Sequence, residues 1–207
     1  FCNEFWVPSY QRWVESDDNR SVYRTHRRQL QYLQWRNPRS RWVLKSTGYF
    51  WGLDAILEVY PDAQFVMTHR DPIKLIASHC SLVAMACSMG SDAVDKHEVG
   101  AFWSRTWENA MHRMLEFRRS GKAAHVFDMH FAEFVADQVG MVRRIYQHFG
   151  LPLPEATERR MRDFIASNPK ERHGTHRYTL EEFGLDAAEE RERCREYQEY
   201  FHVASER

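Results

Sequence analysis

Arg70 and Ser78 stand eight residues apart, and the residues between them are those that start a helix. Phe65, Val66 and Met67 form an apolar run of the length of a buried strand. Asp71-Pro72 follows, with Asp suited to cap the first free amides and Pro tolerated at the first helical position. Ile73, Ile76, Cys80, Val83 and Cys87 then recur at steps of three and four and mark one buried helix face up to Ser88. Arg70 is thus expected at the carboxyl end of a strand, where open α/β sheets bind ligands. A guanidinium beside a helix amino terminus suits a phosphate, and Ser78 can offer a hydroxyl to the same anion two turns further on. A plain structural ion pair of Arg70 is the other reading of these residues.

Lys45 is the second cation in such a place. It ends the apolar run Trp42-Val43-Leu44, and Ser46, Thr47 and Gly48 follow it. An ammonium there can neutralise phosphate or sulfonate oxygens as charge builds on a leaving group. Two residues nearby could exchange a proton. Tyr49 is a poor base near neutral pH, since its reference pKa is about 10. His69 is a nearby candidate, with a neutral space-filling histidine as the alternative. The third basic element is the loop Lys170 to Tyr178, with Arg172, His173 and Gly174, where Gly allows close backbone approach to an anion. Taken alone, such a loop is also an ordinary exposed surface. His173 and His176 lack Cys or carboxylate partners at ligand spacing, so no metal is expected. Neither Gly-x-Ser-x-Gly nor Gly-x-x-x-x-Gly-Lys-Ser/Thr occurs.

The elements that must position these residues follow from periodicity. An aromatic lead-in (Phe5 to Trp13) precedes a helix over 21–35 with Tyr23, Leu30 and Leu33 as its buried stripe, and Asn37-Pro38 turns the chain. Strand 42–44, a helix carrying Leu53, Ile56, Leu57 and Tyr60, and strand 65–67 predict a parallel βαβ unit that sets Lys45 and Arg70 on one sheet edge. A long helix over 96–118 buries Trp103, Trp107, Ala110, Met114 and Phe117. A third strand is predicted over 124–129, helices over 137–149 and 155–166, a Thr179/Glu182 capping box, and a last helix from about Ala187 burying Cys194, Tyr197 and Phe201.

Composition sets the frame. The 207 residues suffice for one domain with a real core, and 43% hydrophobic with 28% charged residues is an ordinary globular balance. A formal net charge of zero gives no overall pull towards nucleic acid or acidic membranes. No apolar run reaches a membrane span. The four cysteines lack Cys-x-x-Cys spacing, and two fall on a buried helix face, which favours a reducing cytoplasm.

An apolar strand, Arg-Asp-Pro and a Ser eight residues after the Arg resemble the 3′-phosphate-binding segment of sulfotransferases. Tyr60-Pro61-Asp62-Ala63 before the strand and Thr68-His69-Arg70-Asp71-Pro72 after it look most like the bacterial enzymes that use 3′-phosphoadenosine 5′-phosphosulfate (PAPS). The resemblance runs from the aromatic lead-in to Phe183-Gly184-Leu185-Asp186. It implies a P-loop-NTPase-like α/β fold, a parallel sheet flanked by helices, as one domain over 1–207. It also implies sulfonate transfer from PAPS to a hydroxyl or amine of a small acceptor, without metal, leaving 3′,5′-diphosphoadenosine. Arg70 and Ser78 carry over as 3′-phosphate ligands, Lys45 as the strand-end cation, and Arg172-His173-Gly174 as the closing loop, with His where the family has Lys. The relatives usually read Lys-Ser-Pro-x-His where this chain reads Lys45-Ser46-Thr47-Gly48-Tyr49, so Tyr49 replaces the general base. The family's amino-terminal phosphosulfate-binding strand-loop-helix has no counterpart, and a chain starting at Phe1 within aromatic-rich sequence reads as the carboxyl-terminal part of a longer domain. A nucleotide kinase and a non-catalytic nucleotide-binding or interaction module are the other classes these residues allow.

Overall fold

Asp71 begins the central helix as its spacing predicts, its side chain accepting a hydrogen bond from the Ile73 amide at 3.1 Å, with Pro72 in the first turn. A computed structural model describes residues 4–168 and 178–206. Helices α1 (Pro8–Ser16) and α2 (Arg20–Gln34) lead to a 3-10 turn (Tyr49–Gly52) and α3 (Leu53–Val59). Then come β1 (Phe65–His69), α4 (Pro72–Ser88), α5 (Lys96–Arg119) and β2 (Val126–His130). Helices α6 (Phe131–Ala136), α7 (Gln138–His148) and α8 (Glu155–Ser167) follow, and a 3-10 turn (Glu181–Phe183), α9 (Ala187–Arg193) and α10 (Arg195–Phe201) complete the described chain.

Strands β1 and β2 pair in parallel, from Phe65 opposite Val126 to His69 opposite His130. Both crossover helices, α4 and α5, are capped at their amino termini by aspartates: Asp95 accepts from the His97 and Glu98 amides at 2.8 and 3.2 Å. The two helices present the faces their periodicity marks. Ile76, Cys80, Val83 and Cys87 are buried on α4, and Trp103, Trp107, Ala110, Met114 and Phe117 on α5. Cys194, Tyr197 and Phe201 join the same core from the carboxyl-terminal helices. The Thr179/Glu182 capping box forms, each side chain accepting from the other's amide, at 3.4 and 3.3 Å.

Two expectations fail, and both concern the amino-terminal third. Residues 42–44 are not a strand. Trp42, Val43 and Leu44 are exposed, Val43 by 90%, and β1 pairs with β2 alone among the described residues. A strand exists only through its ladder partner, and apolar β-branched composition cannot substitute for one. Lys45 and Arg70 therefore do not share a sheet edge. On α2 only Tyr23 is buried; Leu30 is half-buried and Leu33 exposed, because the helix meets α3 along its first turns and its last two turns leave that contact. Its Arg20 and Arg24 pair with Glu58 of α3 at the surface, as a solvated basic face does.

Candidate functional site

Arg70 follows the last residue of β1, where α4 begins, and its partner comes from the far end of the chain. Nε donates to both Glu206 carboxylate oxygens, at 2.9 and 3.3 Å, and Nη2 donates to one of them at 3.0 Å. The Phe131 ring lies 4.5 Å below the guanidinium carbon, and Tyr178 adds a further hydrogen bond. The hydrogen bonds to Glu206 hold the Arg70 pKa above its ordinary value. Asp71 fixes the same tail. It is fully buried, receives the Arg191 guanidinium at 2.7 and 3.2 Å, and accepts the Glu206 amide at 2.7 Å. Arg70 thus presents a planar fork to a planar anion beside a helix amino terminus, the geometry that also fits a phosphate. Ser78 lies half-buried on α4, two turns beyond.

His69, the nearby candidate for a base, lies in the interior at the end of β1. It is 1% exposed, with Nδ1 2.7 Å from the Tyr197 hydroxyl and Nε2 2.9 Å from Asp128 Oδ1. Arg118 holds the other Asp128 oxygen at 2.8 Å. Burial pulls the Asp128 pKa up, but His69 and Arg118 outweigh it and keep the carboxyl below its ordinary value. An ionised Asp128 accepts from Nε2–H. The Tyr197 hydroxyl, its pKa raised by burial, shares a hydrogen bond with Nδ1. The Phe201 ring stacks on the imidazole at 4.4 Å between centroids. Both nitrogens are engaged in the interior, where His69 ties α10 to β1 and β2.

Lys45 lies in an exposed irregular segment, and the chain folds back just after it: the Gly48 amide donates to Ser46 Oγ at 3.1 Å. The Tyr49–Gly52 turn then docks on α2 and α5. Asn19 donates to the Trp51 carbonyl at 3.1 Å, and Phe50 packs on Trp107 at 5.6 Å between centroids. A side chain at position 52 would collide with the Tyr23 ring, so Gly52 permits this approach. Tyr49 is half-buried, and burial raises its phenol pKa, which weakens it further as a base at neutral pH. Residues 46–51 line a cleft of about 390 Å³ with α1, α2, α4 and α5. On its wall Trp107 Nε1 donates to His79 Nδ1 at 2.8 Å, and burial pushes the His79 pKa down to about 4.

Arg172, His173 and Gly174 lie outside the described residues. Among those described, no group of three or more His, Cys, Asp and Glu is arranged to hold a metal ion, and no helix is long and apolar enough to cross a membrane. Sequence reasoning missed Glu206, Asp128, Arg118 and the Trp103/His79 wall of the cleft. Alternation on β2 placed Asp128 opposite its neighbours, yet only the β1–β2 register brings it to His69. Glu206 carries no local signal at all.

A model of the sulfotransferase family matches residues 3–155, and the chain belongs to that family. Its fold is the P-loop-like α/β fold of these enzymes, helix-rich with a small parallel sheet. The structure superposes on sulfotransferase STF9 from Mycobacterium avium with a TM-score of 0.86 and 31% sequence identity, covering 96% of this chain and 51% of that one. For STF1 from Mycobacterium tuberculosis the TM-score is 0.78 with 33% identity, covering 90% and 48%. The omega-hydroxy-beta-dihydromenaquinone-9 sulfotransferases Stf3 of Mycobacterium bovis and Mycobacterium tuberculosis are 24% identical over 146 residues, 68% of this chain and 36% of theirs. The chain spans about half the length of those two structures and about a third of these relatives.

Proposed function

We propose that these residues form the 3′-phosphate and acceptor side of a sulfotransferase that moves a sulfonate from PAPS to a hydroxyl or amine of a small molecule. The observation that carries the reading is Arg70, set at the end of β1 beside a capped helix and already gripping a carboxylate through two nitrogens. In this reading the 3′-phosphate takes the place of the Glu206 carboxylate, with Ser78 and the Arg172–Gly174 loop completing its shell. Lys45 neutralises the phosphate oxygens from which the sulfonate departs. The acceptor oxygen or nitrogen attacks sulfur in line, the S–O bond to phosphate breaks, and 3′,5′-diphosphoadenosine leaves. The acceptor's proton passes to a general base as the new bond to sulfur forms. That the Stf3 relatives are named for an omega-hydroxy menaquinone supports an alcohol acceptor with an apolar body. A cytoplasmic place is part of the proposal, supported by the buried free thiols of Cys80, Cys87 and Cys194.

The test is incubation of the full-length protein with PAPS and a panel of alcohols and amines, following 3′,5′-diphosphoadenosine release. Acceptor-dependent release that Lys45→Ala lowers at least tenfold with the fold intact supports the reading. A second reading, a nucleotide-binding module without transfer, is favoured by Tyr49 at the base position with its pKa raised by burial. Tight 3′,5′-diphosphoadenosine binding with no release across the panel would select it.

A further inference from the structure

We propose that the segment after α10, Val203 to Glu206, is an intramolecular latch: Glu206 occupies the anion seat of Arg70 and swings out when a phosphate enters. That the entering group is the 3′-phosphate of a nucleotide rests on the function proposed above; the latch itself does not.

The segment is fixed at one end and pinned at the other. His202, in the left-handed conformation with φ 53°, ends α10 and turns the chain. Val203 is buried; its amide donates to the Gln198 carbonyl at 2.9 Å and its carbonyl accepts from Gln198 Nε2 at 3.2 Å. Ala204 and Ser205 are exposed and belong to no regular element, so they form a short arm of small side chains. What closes the arm at Glu206 is polar: its carboxylate on Arg70 and its amide on Asp71. Part-exposed polar contacts of this kind open far more readily than a packed apolar core.

The seat survives when the latch leaves. Asp71 Oδ1 keeps Arg191 Nη1 and the Ile73 amide, and Oδ2 keeps Arg191 Nη2. No buried charge is therefore left without a partner, which would be the costly outcome. Arg70 keeps the Phe131 ring against its guanidinium and its contact with Tyr178, so the fork stays aimed. Glu206 fills the Nε and Nη2 edge of that fork, the edge a phosphate takes in a two-point contact. Two anions on one edge repel each other, so the phosphate displaces the carboxylate. A tethered carboxylate competes at an effective concentration on the order of millimolar. Weak monoanions are shut out, whereas a phosphate monoester carries nearly twice the charge and a third acceptor oxygen. Its apparent affinity is lowered by the fraction of molecules with the latch closed.

The reporter is the Glu206 amide, whose hydrogen bond to Asp71 marks the closed latch, followed by NMR in the full-length protein. Saturating 3′,5′-diphosphoadenosine should shift this resonance and speed its exchange with solvent at least about tenfold. Adenosine, which carries no phosphate, should do neither. Excess inorganic phosphate, compared with chloride at equal ionic strength, is the probe without a nucleoside and should release the latch as well. Glu206→Gln should tighten 3′,5′-diphosphoadenosine about three- to tenfold, because a neutral amide holds Arg70 less firmly. Bound 3′,5′-diphosphoadenosine with the Glu206 amide unmoved overturns the latch and leaves the sulfotransferase reading standing. Unchanged affinity of Glu206→Gln, or an amide that neither anion moves, also overturns it. Release by inorganic phosphate without any binding of 3′,5′-diphosphoadenosine keeps the latch and removes the sulfotransferase reading.

Discussion

Arg70 and Glu206, 136 positions apart in the chain, face each other fork to fork at distances of 2.9 to 3.3 Å. The side chains are 28% and 29% exposed, so the pair sits at the protein's edge and an external anion can compete for Arg70. Glu206→Gln should therefore tighten 3′,5′-diphosphoadenosine binding about three- to tenfold, the worth of one competing charge-assisted contact. Binding of 5′-AMP should not change. If the pair is merely structural, the substitution lowers stability and leaves both affinities alone.

The interior clamp at His69 predicts a stability effect instead of a catalytic one. His69→Phe removes a buried partner from both Tyr197 and Asp128 and should cost about 2–4 kcal/mol in urea unfolding. A loss confined to turnover, with unfolding unchanged, would return His69 to the reacting groups.

A pH dependence follows from His79. Its pKa is lowered to about 4 by burial, so the folded state resists a proton that the unfolded chain takes up near 6.5. Unfolded chains thus bind more protons between pH 6.5 and 4, and stability falls as pH falls through that window, by at most about 3 kcal/mol. Above pH 6.5 this residue contributes no slope. His79→Gln, which keeps an acceptor for Trp107, should flatten the profile; an unchanged slope would place the titration elsewhere.

Much of this molecule was legible in its residues, and the division is physical. Helix faces on α4 and α5 follow from local periodicity, and the Asp71-Pro72 start is written in two residues. Arg70 was legible because it sits where strand character stops and a helix begins. The strand at 42–44 was misread because pairing is non-local, and composition alone cannot supply a neighbour. The Glu206 contact and the Asp128–His69 bond join residues 136 and 59 positions apart, and nothing near either end announces them. The aromatic stripe of α5 was read as core, which it is; that Trp103 and Trp107 also line a cleft emerges only from packing.

The most direct test of the account compares two nucleotides on two proteins. Calorimetry of 3′,5′-diphosphoadenosine and 5′-AMP with wild type and Arg70→Ala isolates the interaction of Arg70 with the 3′-phosphate. The account predicts a loss of about 1.5–3 kcal/mol for 3′,5′-diphosphoadenosine and almost none for 5′-AMP. Equal losses for both ligands, or none for either, would contradict it.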